Sequence, residues 1–235
     1  MPDQLGKMGR IVSDISLRRS AAWVGWGLIA VFALMMGLIS LRLLSFDPNA
    51  VPEELRQNFL DRPVLFYTHA LLAPVALMVG VWQFLPITRR SAYHRLVGRC
   101  YVACVAVASI AGFIIAFTTD TGPAAGIGFG ILAVLWFSAT ARAYLLARSG
   151  DFVRHRIWMI RSYAICCAGI TLRIILPVGI ATGFGFTPSY ITAAWGSWII
   201  NILIAEWIIR RMKFHEVVPH RPPGRKILPA PAAGI

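Results

Sequence analysis

Residues 100–118 read CYVACVAVASIAGFIIAFT, 19 positions without a charged side chain. A bilayer's hydrocarbon core is about 30 Å thick, and an α-helix needs about 20 mostly apolar residues to cross it. The stretch meets that length, and it lacks the alternating pattern of a membrane β-barrel strand. A helix satisfies every backbone N–H and C=O within the segment, so it is the structure such a stretch can adopt in lipid. Five further blocks pass the same test: Ala21 to Leu44, Val64 to Leu85, Ala124 to Leu146, Ile157 to Thr182 and Tyr190 to Ile209. The sequence therefore predicts an all-α, polytopic integral membrane protein with six transmembrane helices.

Composition agrees with this. Of 235 residues, 57% are hydrophobic and 14% charged, with a mean hydropathy of +0.67, whereas a soluble domain has about 45–50% apolar and about 25% charged residues. Basic residues precede the first block, as they would a secretory signal. A signal's apolar core runs only about 7–15 residues, but Trp23 to Leu44 continues in Leu, Ile, Met and Phe, so the block is read as a helix of the mature chain. The expected organisation is a tail over 1–20, a membrane domain over 21–209 and a second tail over 210–235. Leu5, Met8, Ile11, Val12 and Ile15 recur at helical spacing, which suits either a helix in the headgroup plane or a solvated tail. Pro219, Pro222, Pro223, Pro229 and Pro231 make the C-terminal end extended.

A net charge of +13 raises nucleic acid as a partner, until the basic residues are located. Nineteen Lys and Arg lie in the two tails and the second and fourth turns. Three, Arg42, Arg56 and Arg62, lie on the other side, and Arg173 lies inside a block. The positive-inside rule then makes both termini cytoplasmic, as in a multi-pass protein of the inner (cytoplasmic) membrane. Asp47, Glu53, Glu54, Asp61 and Asp120 fall on the sparse side. The charge is an orientation signal, and no soluble face interleaves basic and aromatic residues, so nucleic acid is disfavoured. Anionic headgroups at the cytoplasmic face are the expected partner. A homo-oligomer and a membrane-complex subunit both stay open.

An ionisable residue within a membrane span is a functional candidate by default. His69 lies five residues into the second block. Arg173 lies sixteen residues into the fifth, about 24 Å from its inner end, so the two can share a depth near the outer side. Steps of about 100° align His155, Ser162, Cys166, Gly169 and Arg173 if the helix is continuous, and likewise His69, Ala73, Ala76, Gly80 and Gln83. Both faces are polar or small and are expected to turn inward. Whether His69 and Arg173 form a ligand site or simply bond neighbouring helices stays open. Cys100, Cys104, Cys166 and Cys167 lack zinc-site spacing and are read as packing residues, so no metal site is assigned. Glu206 is expected to snorkel or to pair with Arg210 one turn on.

Two segments resemble each other: HRLVGRCY at His94 to Tyr101 and HRIWMIRSYA at His155 to Ala164. Each opens a helix running in the same direction, so blocks two and three against four and five look like a duplicated hairpin forming a four-helix bundle. With His69 and Thr171-Leu172-Arg173, these motifs over about residues 64–180 resemble a large family of bacterial membrane proteins with a domain of unknown function. The resemblance implies the architecture and names no reaction.

Three function classes remain. In the first, a redox protein, His94 and His155 at the inner face hold a single b-type haem or a quinone, and Arg95, Arg99, Arg156 and Arg161 offset its negative charge. A second haem at the outer side is disfavoured, because the hairpin equivalent of His69 is Gly130. The second is a small-solute or ion transporter with His69, Arg173 and Glu206 on its path, although no broken pair of helices is apparent at the midplane. The third is a non-enzymatic assembly subunit. A hydrolase is disfavoured, since no GxSxG, HExxH or paired carboxylates at the boundary appear.

Overall fold

A computed structural model describes residues 20, 23–45, 47, 53–84, 91–118 and 121–216. The segment over residues 5–19, read as either an interfacial helix or a solvated tail, and the extended end from Val217 lie outside them. Among the described residues every regular element is helical. Helix α1 (residues 23–40) ends in a 3-10 turn, Leu41–Ser45. A short α2 (Glu53–Asp61) follows, then α3 (Pro63–Gln83), α4 (Ala92–Ala116), α5 (Pro123–Arg148), α6 (Phe152–Cys166), α7 (Ala168–Ala181) and α8 (Phe186–Glu216). Six segments are long and apolar enough to cross a membrane: Trp23–Ser45, Pro63–Gln83, Ala92–Ala116, Pro123–Arg148, Phe152–Ala181 and Phe186–Met212. The protein is a polytopic, all-helical membrane protein.

Helix ends follow from local chemistry. Ser91 Oγ accepts the His94 N–H at 3.1 Å and starts α4, while the Asp151 carboxylate accepts the Arg154 N–H at 3.0 Å and starts α6. Such caps satisfy donors that have no partner inside the helix. Gly150 takes φ 80° at the end of α5. Around it the N–H of Gly150 bonds Ala147 O, and that of Asp151 bonds Leu146 O, the pair of reversed bonds of a Schellman turn. The residue that ends this turn is thus also the cap of α6, so α5 and α6 are joined by a very short connection. Gly183 (φ 88°) closes α7 in the same way, with Phe184 N–H on Gly179 O.

Helices α3, α4, α5 and α6 pack in sequence as an antiparallel bundle, which closes where α6 meets α3, and α8 lies outside against α7, α6 and α5. Helix α1 rests on α3, where Met78 covers Gly37. The buried faces are built from small residues: Ala76, Ala108, Ala111, Ala133, Ala139, Ala143 and Ala168. Lipid tails are as apolar as any side chain, so close backbone approach rather than hydrophobic burial holds such helices together. Large side chains such as Ile110, Phe113, Ile127, Leu203 and Trp207 point outward instead.

The fifth span departs from the continuous helix assumed above. It is interrupted at Cys167, where Ile170 N–H reaches back only three residues to Cys167 O at 2.9 Å, and so divides into α6 and α7. Helix α7 packs chiefly on α8.

Candidate functional site

The bundle interior carries a buried hydroxyl cluster. Tyr101 Oη of α4 and Ser162 Oγ of α6 are 2.8 Å apart, and Ser162 Oγ lies 2.6 Å from Thr140 Oγ1 of α5. Thr140 also donates to Trp136 O at 2.8 Å. Tyr101 and Ser162 are 0% exposed and Thr140 2%. Next to the cluster, Tyr163 Oη donates to Leu77 O of α3 at 3.0 Å. The Tyr163 ring passes through the space left by Gly80, where any side chain would overlap it. A hydroxyl so deeply enclosed needs a partner, because an unsatisfied one costs about 1–3 kcal/mol.

This cluster fixes the register of α4 against α6. Position 101 stands 61 residues before 162, as His94 stands 61 before His155. Seven residues make nearly two turns and about 10.5 Å. Each histidine therefore shares a helix face with its partner in the Tyr101–Ser162 bond, two turns toward the end where α4 and α6 begin. His155 Nδ1 lies 2.8 Å from Ala143 O of α5. If Nδ1 carries the proton and donates to that carbonyl, Nε2 is left as a lone pair. His94 is half-buried, and its carbonyl accepts from Gln83 Nε2 of α3 at 3.4 Å. Each histidine thus sits beside the C-terminal part of the preceding helix.

Seven residues the other way stand Ala108 on α4 and, past the interruption at Cys167, Gly169 on α7, again 61 apart. Ala108 O lies 2.9 Å from His69 Nδ1, and Gly169 O accepts Arg173 Nη1 at 2.9 Å. His69 is seated where Gly112 leaves room on α4. His69 and Arg173 are bonded to different carbonyls, and no hydrogen bond joins the two side chains. The offset of 61 thus defines three levels of register, or rungs: His94 and His155, Tyr101 and Ser162, and the carbonyls of Ala108 and Gly169 that hold His69 and Arg173; the Tyr101–Ser162 bond is the contact observed across them.

Not every arginine expected near the histidines goes there. Arg161 Nε and Nη2 donate to Glu206 Oε1 and Oε2 of α8 at 2.5 and 3.2 Å, and the guanidinium lies over the Trp158 ring at 4.7 Å. Glu206 is therefore bound to Arg161 rather than paired only with Arg210, because the α6–α8 packing brings a bidentate partner that sequence spacing cannot see. Arg95, Arg99 and Arg156 are exposed near the start of their helices. Among the described residues no three His, Cys, Asp or Glu side chains gather as a metal site, and all four cysteines are free thiols. An apolar groove of about 380 Å³ lies between α7 and α8, lined by Ile174, Val178, Phe184 and Ser189 among others.

The hydroxyl cluster was not singled out by sequence, although Tyr101 and Ser162 each stand seven residues after a motif histidine. Pairing the tyrosines of the two motifs, Tyr101 with Tyr163, gives an offset of 62. The fold follows the histidines' offset of 61 and sends Tyr163 to α3 instead.

No curated protein and no solved structure matches the chain. The family model for predicted membrane proteins of the domain of unknown function DUF2306 matches residues 66–209, from the first turn of α3 to the C-terminal part of α8, and so takes in all three rungs. The chain belongs to this family of predicted membrane proteins.

Proposed function

We propose that the protein is a small redox membrane protein that holds one b-type haem between His94 and His155. The observation that carries this reading is the hydrogen bond from His155 to Ala143 O. A metal-binding imidazole characteristically donates its second ring N–H to a carbonyl or carboxylate, which fixes the ring and raises the basicity of the ligating nitrogen. The shared face of His94 and Tyr101, matched by that of His155 and Ser162, supports placing both imidazoles at one depth. His94 and His155 would hold the haem through their imidazoles, and the exposed Arg95, Arg99 and Arg156 near the starts of the same helices would offset its negative charge. Arg161, committed to Glu206, is left out of that role. When bound, the haem supplies one-electron chemistry, while the chain holds it and shields it from water.

Reduced-minus-oxidised spectra of protein purified from haem-replete cells test the reading. A sharp band is expected in the parent and in His69→Ala, and its loss in His94→Ala and in His155→Ala. A parent without the band sinks the haem reading and leaves a non-enzymatic membrane subunit or a transporter as the better description.

A further inference from the structure

Two arginines near the end of α8 are left without a counter-charge. Sequence spacing offers Glu206 to Arg210 one turn on, but Arg161 of α6 holds both carboxylate oxygens of Glu206. Among the described residues no carboxylate pairs with Arg210 or with Arg211. Arg210 stands four residues after Glu206 and so shares its face of α8, beside the seam with α6. The Arg211 guanidinium lies over the Trp207 ring, 4.1 Å from its centroid, a contact that holds the group in place while its N–H donors stay open. Both arginines are exposed, and both fall within the last three residues of the span Phe186–Met212. This is the level of lipid headgroups, at the end of the bundle where α4 and α6 begin. On the membrane side of the two arginines stand Trp207, which is 55% exposed, and, across the seam, Trp158 against Arg161. Tryptophan rings favour this depth, where one edge is wet and the rest meets acyl chains.

We infer that Arg210 and Arg211 form a binding site for the headgroup of an anionic phospholipid, whose phosphate is held by the two guanidiniums and whose acyl chains descend past Trp207 and Trp158. A guanidinium meets phosphate oxygens through two parallel hydrogen bonds. Two positive charges against one phosphate leave a surplus that repels the ammonium of a zwitterionic headgroup, so charge selects the anionic lipid. The Arg161–Glu206 pair makes the site possible, because it neutralises the nearby acid without drawing on Arg210. The site does not depend on the haem reading, in which neither arginine takes part.

The test uses the full chain in dodecyl maltoside. Thermal unfolding is followed by tryptophan fluorescence as short-chain phosphatidylglycerol, phosphatidylcholine with the same acyl chains, or inorganic phosphate is added. Phosphatidylglycerol is expected to raise the midpoint saturably, by about 4 °C at ten times its dissociation constant, and the other two are not. Arg210→Gln combined with Arg211→Gln should weaken binding about thirtyfold; if that variant does not fold, Arg210→Gln alone, which keeps the Trp207 stack, should weaken it about fivefold. Arg148→Gln combined with Arg154→Gln removes two charges at the same end of the bundle and should bind like the parent. No saturable response to phosphatidylglycerol in the parent overturns the inference, as does unchanged affinity in the Arg210 variants. An equal response to phosphatidylcholine overturns it in favour of a site for chains alone, an equal response to phosphate in favour of the free ion, and an equal loss in the Arg148 and Arg154 variant in favour of diffuse charge.

Discussion

The hairpins α3–α4 and α5–α6, the latter continued by α7, share one scaffold but differ at the rung farthest from the motif histidines. In the first, the leading helix carries His69 and the following helix carries Gly112. In the second, at positions 61 residues later, the leading helix carries Gly130 and the following one carries Arg173. The large polar side chain and the glycine have changed places. Each hairpin contributes one polar group to this rung, against a carbonyl at an equivalent place. At the other two rungs the hairpins give like for like, histidine with histidine and hydroxyl with hydroxyl. The first two rungs keep the symmetry of a repeat, whereas the third carries unlike groups against equivalent carbonyls.

The comparison breaks most completely if α4 and α6 do not begin at the same membrane face. Periplasm-dependent phosphatase fused after Gly122 should be active and fused after Gly150 inactive; equal activities would remove the parallel orientation on which the rungs rest. The next largest effect is expected at Gly80, where a side chain must displace Tyr163 from Leu77 O. Gly80→Val should lower stability by about 3 kcal/mol, read as the midpoint of unfolding in mixed micelles.

Ser162 and Tyr101 sharpen the symmetry of the middle rung. Ser162→Ala leaves two buried hydroxyls short of a partner and should cost about 2 kcal/mol, whereas Tyr101→Phe leaves one and should cost about 1 kcal/mol. In the double variant the costs should fall short of their sum, and strict additivity would mean that the two groups are not coupled. The smallest effect belongs to the Arg161–Glu206 pair, whose side chains are 26% and 32% exposed. Glu206→Gln should cost about 1 kcal/mol or less, and the loss should shrink in high salt.

Much of the architecture was legible in sequence, because crossing a bilayer is a demand on each segment separately. The stretch 100–118 answers it without reference to any other. Periodicity also placed Ser162 and Cys166 on one inward face, and both are buried. What sequence could not supply were the relations between helices. Glu206 has Arg210 one turn away in its own helix, and only the packing of α8 on α6 brings it to Arg161. Similarly, the tyrosines of the motifs look equivalent, yet Tyr101 meets a serine and Tyr163 a backbone carbonyl. The interruption at Cys167 left no mark either, since neither proline nor glycine stands at that position.

The short connection between α5 and α6 bears on how the protein is made. With Gly150 reversing the chain and Asp151 already capping the next helix, no slack exists to hold one helix in the bilayer while its neighbour waits outside. The two helices are therefore expected to enter the bilayer as a single hairpin, whose tip carries the charges of Arg148, Asp151 and Arg154. Lengthening this link would then alter the yield of inserted protein more than the resilience of the finished one.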